Sequence, residues 1–176
     1  MAVLRRLFLL LAFAAMTSQP TFGQAPPKGA DPKDVESVDS IMNAIYDVIS
    51  GPAGQKRDWD RMRSLFAANA KMGAVVRDRS GQTRYVDFDV ERYVKMYDRI
   101  LTEKGFFEHE RRRRVDTFGN IAQVFSSYES RWKADDKTPF ERGVNELQLV
   151  NDGRRWWIVS ILWQGENDKL KLPGRW

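Results

Sequence analysis

The chain has 176 residues, no cysteine and a single histidine, His109. Disulfides, thiolate nucleophiles, zinc–thiolate centres and any site needing two imidazoles are therefore excluded. Its formal charge is +5, from 29 basic and 24 acidic residues, but Arg5 and Arg6 sit in an apparent leader, and the surplus left without them is too even to argue for a nucleic-acid partner.

Residues 1–23 read as a secretory signal peptide. Arg5 and Arg6 supply the positive start, and an apolar run from Leu7 to Met16 follows, too short to span a bilayer. Thr21 and Gly23 place small residues at −3 and −1 for cleavage after Gly23, whereas cleavage after Ala25 would leave Pro26 at the new N-terminus. Without cysteine there is no lipid attachment site. The expected product is a periplasmic or secreted protein with no stable membrane anchor once the leader is removed. Residues 24–33 are rich in Pro, Gly and Ala and read as a flexible linker. The domain is expected over 34–168, with a short tail at 169–176.

The period of Val35, Val38, Ile41, Ile45, Val48 and Ile49 predicts a helix over 34–50, stopped by Gly51-Pro52-Ala53-Gly54. Asp58 is placed to cap a second helix with Trp59, Met62, Leu65 and Phe66 on its apolar face. Two short strands are predicted at 71–77 and 83–88, around a turn at Asp78-Arg79-Ser80-Gly81. Asp89 then caps a third helix over 90–104, with Tyr93, Val94, Tyr97, Ile100 and Leu101 inward and Gly105 as its stop. Four strands complete the chain, at 106–116, 121–133, 140–150 and 155–164.

Two helices, a short hairpin, a third helix and a four-stranded meander form a pattern with a known likeness. With the Asp116-Thr117-Phe118-Gly119-Asn120 turn, the run Val124 to Arg131, and the stretch from Leu147 through Asn151-Asp152-Gly153 to Val159, the chain resembles the nuclear-transport-factor-2-like, or SnoaL-like, family. That resemblance implies an α+β fold: a curved antiparallel sheet wrapped around N-terminal helices, forming a cone with an internal pocket. Its members include ketosteroid-isomerase-like and dehydratase-like enzymes, cyclases and binding proteins. Its enzymes mostly use an aspartate or histidine deep in the cone, sometimes with a tyrosine. This chain offers Tyr128 and His109, but alternation places no sheet aspartate inside.

Turn chemistry suggests the registers. Asp152-Gly153 as a two-residue turn pairs Leu149 with Trp156, Leu147 with Ile158 and Asn145 with Ser160; Gly119-Asn120 pairs Val115 with Val124 and Arg111 with Tyr128. Alternation then puts His109, Arg111, Tyr128, Trp132, Asn145, Trp156 and Ser160 on the pocket face, and Glu108, Glu110, Trp157, Val159, Ile161 and Trp163 outside. A one-residue slip in the middle hairpin would exchange Asn145 for Glu146.

Each feature has a plain alternative. Arg111–Arg114 alternates between faces near Glu108, Glu110 and Glu129, which suits a solvated charge ladder. Tyr128 and Asn145 either polarise a carbonyl or satisfy each other. His109 is either structural or the proton carrier, with Tyr128 the second catalytic candidate. No phosphate loop, calcium loop or nucleophile motif is present, and no metal or cofactor is expected. The leading expectation is a small-molecule pocket formed by Arg111, Tyr128, Asn145, Ser160, Trp132 and Trp156, with Arg111 favouring an anionic ligand. The alternatives are a proton-transferring isomerase, dehydratase or cyclase, and a non-catalytic interaction module. A homodimer is expected through the outer stripe of Trp157, Ile161 and Trp163.

Mass spectrometry of the exported protein should show an N-terminus at or within a few residues of Gln24. An intact Met1 would contradict the leader.

Overall fold

The computed structural model describes residues 29–174. The leader, most of the linker and the last two residues of the tail lie outside them. In chain order the elements are α1 (Pro32–Val35), α2 (Val38–Ile49), α3 (Trp59–Leu65), β1 (Phe66–Arg77), β2 (Thr83–Phe88), α4 (Val90–Lys104), β3 (Phe107–Phe118), β4 (Ile121–Arg131), β5 (Glu141–Asn151) and β6 (Trp156–Gly165).

Local chemistry accounts for most boundaries. The helix expected as one piece over 34–50 is two, because the Ser37 side chain accepts the Ser40 amide and starts α2 afresh. Asp58 and Asp89 cap α3 and α4 as expected, accepting the amides of Arg61 and Arg92. Gly105 ends α4 at φ 74°, and a Cβ there would stand 2.8 Å from the Ala53 backbone nitrogen. Only glycine meets both demands.

The six strands form one curved, unclosed sheet in the order β2-β1-β6-β5-β4-β3. All neighbours are antiparallel except β1 and β6, which run parallel. A core of fully buried side chains, among them Ile41, Met42, Met62, Leu65, Val124, Leu147 and Ile158, joins α2 and α3 to the sheet. The α+β cone expected from the sequence is therefore present.

The end of this core is tied by Arg57, which is 6% exposed and has no carboxylate partner among the described residues. Its guanidinium donates to the carbonyls of Ile49 (2.9 Å), Gly51 and Gln55 (2.6 Å each) and Leu101 (3.1 Å). Two of these carbonyls lie at the C-terminal ends of α2 and α4, where backbone acceptors are left over and the helix dipole favours a cation. One side chain thus gives the Ile49 and Gln55 carbonyls a partner and adds a second bond to those of Gly51 and Leu101, which already accept the amides of Phe106 and Gly105.

Two β-bulges change the face assignment. Between β3 and β4, Val115 pairs with Val124 and Arg113 with Ser126, as expected from the Gly119-Asn120 turn. The register then slips: Glu110, not Arg111, stands opposite Tyr128, and Glu108 opposite Ser130. Arg111 is the extra residue. Between β5 and β6 the extra residue is Val159, with Leu149 opposite Ile158 but Leu147 opposite Ile161 and Asn145 opposite Trp163. One added residue turns every later side chain to the other face. The middle hairpin, expected from the sequence to pair Tyr128 with Asn145, is shifted by two, with Ser126 opposite Asn145 and Tyr128 opposite Gly143, which leaves the faces unchanged.

Candidate functional site

The concave face of the sheet and helices α2 and α4 enclose a cavity of about 220 Å³. Its apolar wall comes from Met42, Ile45, Ile49, Leu147 and Ile161, and its aromatic wall from Tyr93, Tyr97, Phe106, Trp132, Phe140 and Trp163. Tyr93 and Tyr97 lie side by side with ring centroids 4.6 Å apart, and Trp132 stacks on Phe140 at 4.1 Å. Exposed Ile100, Phe140 and Glu141 mark the mouth.

Into this apolar space the β3 bulge turns Glu108. Its carboxylate accepts from Ser130 Oγ at 2.8 Å and from Asn145 Nδ2 at 3.1 Å. Burial pushes the carboxyl up to about 7; the two hydrogen bonds oppose this rise, and the nearby Glu141 adds to it. Behind the cavity wall the hydrogen bonds run in one direction. Asn145 Nδ2 also donates to Tyr46 Oη at 3.1 Å; Tyr46 Oη and Ser126 Oγ are 2.7 Å apart; Ser126 Oγ donates to Glu110. An ionised Glu110 is acceptor-only, so Ser126 gives its proton there and receives that of Tyr46. Both N–H groups of Asn145 are then committed, one to Tyr46 and one to Glu108. Arg113 closes the chain outside, donating to Glu110 at 2.8 Å and to Asp39 at 2.9 Å.

A second acid stands at the mouth. Tyr128 is 1% exposed and donates its hydroxyl to Glu141 at 2.6 Å. Gly143 opposite it makes room, because a Cβ there would come within 2.6 Å of that hydroxyl. Burial, then the charges of Glu108 or Glu141, raise the phenols of Tyr46, Tyr93, Tyr97 and Tyr128, so all four stay protonated donors. The Tyr93 and Tyr97 hydroxyls have no protein partner among the described residues. Among those residues, no group of three or more His, Asp or Glu is placed to hold a metal ion.

Of the residues expected in the pocket, Asn145 and Trp132 line the cavity, and Tyr128 supports it through Glu141. The others need correction. Arg111 and His109 are exposed on the outer face; Arg111 pairs with Glu129. With Arg111 outside, the reason for an anionic ligand is gone. Ser160 follows the Val159 bulge and pairs with Gln148, off the cavity. Trp156 packs on the core near the β5–β6 turn and does not line the cavity. The expected outer stripe is also divided: Ile161 and Trp163 face inward, while Trp157 stays outside, its indole donating to Asp152 and its ring under Arg155. Alternation also puts Ser130 on the pocket face, where it lines the cavity, whereas Glu108, Glu141 and Tyr46 were missed. Tyr46 had a signal, since it lies four residues after Met42 and three before Ile49 on α2.

No protein-family model matches the chain, and no curated protein matches it by sequence. Solved structures do match its fold. A protein of unknown function with a cystatin-like fold from Nostoc punctiforme PCC 73102 is similar at 9% identity and a TM-score of 0.56, over 74% of this chain and 90% of that one. An NTF2-like protein of unknown function from Shewanella baltica OS155 aligns at 15% identity and TM-score 0.52, over 73% and 90%. A candidate dehydratase from the NTF2-like family, from Streptomyces avermitilis, aligns at 14% identity and TM-score 0.55, over 76% and 96%. The chain thus has the NTF2-like, cystatin-like α+β fold. At these identities the likeness is one of fold alone.

Because the folded value of Glu108 lies above its ordinary one, its protonated form favours folding. Its contribution is complete below about pH 4.5, declines as pH rises, and is lost once pH passes about 7. Urea unfolding should show wild-type stability falling by roughly 2–3 kcal/mol across that window relative to Glu108→Gln. Parallel pH profiles would mean that Glu108 is solvated like an ordinary carboxylate.

Proposed function

We propose that the protein binds a small, largely apolar molecule in the cone. The observation that carries this reading is the cavity in the cone, open at its mouth, with hydrophobic and aromatic walls and a few polar groups gathered around Glu108. An engineered apolar cavity of about 150 Å³ takes up benzene. The present cavity, about 220 Å³, has room for a six-membered ring with a short side chain. The leader motivates placing this binding in the periplasm or outside the cell.

Glu108 favours a second reading, proton transfer on the bound molecule. A carboxyl pushed up to about 7 is divided between acid and base at neutral pH, which suits a general acid–base. The carboxylate would take a proton from carbon beside a ligand carbonyl, and a Tyr93 or Tyr97 hydroxyl would donate to the resulting enolate oxygen. The proton would then return from Glu108 to carbon. The Streptomyces avermitilis fold relative, a candidate dehydratase, is in keeping with such chemistry.

Acetophenone tests both readings. It should bind with a change in tryptophan fluorescence, since Trp132 and Trp163 line the cavity. If Glu108 transfers protons, its methyl group should exchange for deuterium about 100-fold faster with wild type than with Glu108→Gln. That rate should rise with pH to a plateau above about 7. Binding without exchange would remove the second reading and keep the first; absence of binding would overturn the first.

A further inference from the structure

Resting on the reading of the cone as a small-molecule site, we propose that its occupant is an organic cation: an amine whose ammonium group meets Glu108 and Glu141 while its apolar body lies among the aromatic rings. Three features of the cavity lead there. Its two charged lining residues, Glu108 and Glu141, are both acidic, and no lysine, arginine or histidine lines it among the described residues. Both acids share the cavity with the α4 tyrosines, Tyr93 within the field of Glu108 and Tyr97 within that of Glu141. A ligand cation would therefore meet a carboxylate and a π-face together. Trp132, which lines the cavity, already takes a cation on its ring, with Lys104 Nζ 5.2 Å from the centroid.

The energetics select against the other charges. An anion entering this space would meet like charge in a desolvated setting, where Coulomb repulsion is poorly screened. A neutral molecule would gain apolar contact but leave the acids without a charged partner. An ammonium group gains both the carboxylates and the quadrupoles of the aromatic rings. The cation must also draw Glu108 into its ionised form. The groups facing Glu108 are Ser130 and Tyr128 from β4, Asn145 and Glu141 from β5, Tyr46 from α2, Tyr93 from α4 and Glu110 on its own strand; none is a cation. The ligand would supply the missing positive charge, and Glu108 would release its proton to solvent through the open mouth.

The test compares three probes of one shape by calorimetry: 2-phenylethylamine, 2-phenylethanol and phenylacetate. The amine should bind about tenfold or more tightly than the alcohol, and phenylacetate should bind weakest. In buffers of different ionisation enthalpy near pH 6, amine binding should release up to about one proton, and less as pH rises. Glu108→Gln should abolish the proton release, and Glu108→Gln with Glu141→Gln should bring amine and alcohol affinities together. Near-UV circular dichroism of each variant checks that the fold is kept. Alcohol binding as tight as amine binding, or amine binding with no proton released, would overturn this inference while leaving the cone as a small-molecule site. Failure of all three probes to bind would overturn both.

Discussion

Glu108 and Glu110 point inward because β3 carries one residue more than β4 between Glu110 and Arg112. That extra residue, Arg111, turns the outer half of the strand by one side-chain position. Were β3 paired with β4 without this bulge, Arg111 and His109 would face the cavity and the acids would lie in water. With it, Glu108 stands opposite Ser130, which supplies a hydrogen bond, and Glu110 stands where Ser126 and Arg113 satisfy it. A bulge also frees the ladder locally and strengthens the twist, which suits a sheet that curls around helices. The Val159 bulge does the same on β6, bringing Ile161 and Trp163 to the cavity and leaving Val159 and Leu162 exposed.

A carboxyl can be held in such a space only if its polar demands are met without water. Two donors meet those of Glu108, and the chain behind Asn145 fixes which way the amide faces. The same chain reaches through Tyr46 to α2, so the helix that forms the apolar wall also carries part of the polar one. Arg57 holds the ends of α2 and α4 together from the far side, drawing on carbonyls instead of a carboxylate. Polar satisfaction and cavity shape are thus set by the same few elements. A buried network of this kind is costly when only half complete, which ties the site to the integrity of the cone.

Much of this was legible in the sequence. The capping aspartates, the apolar stripe of α2, the Gly105 stop and the pairing of Val115 with Val124 all follow from local chemistry, and together they specify the cone. The faces of β4 and β5 were legible too, because their register error was two residues and parity survives a shift of two. Bulges were not legible. Arg111 sits in a run of four arginines, where any of them could be the extra residue, and Val159 lies between Ile158 and Ser160 with no glycine or other turn residue to mark it. Simple alternation therefore read His109 and Arg111 as pocket residues and Glu108 as solvated. Glu141 was within reach of alternation, four residues before Asn145 on β5, but its place at the strand end left its bond to Tyr128 unread.

The most direct measurement is the solvent access of residues 108 and 109. Since the chain has no cysteine, Glu108→Cys and His109→Cys each introduce a sole thiol that a disulfide reagent can time. With β3 bulged at Arg111, the thiol at 109 should react at close to the rate of the unfolded chain, and the one at 108 roughly 100-fold or more slowly because it is open only to the cavity. Rapid labelling at 108 with protection at 109 would mean that β3 runs without its bulge, and that the acids do not belong to the cavity.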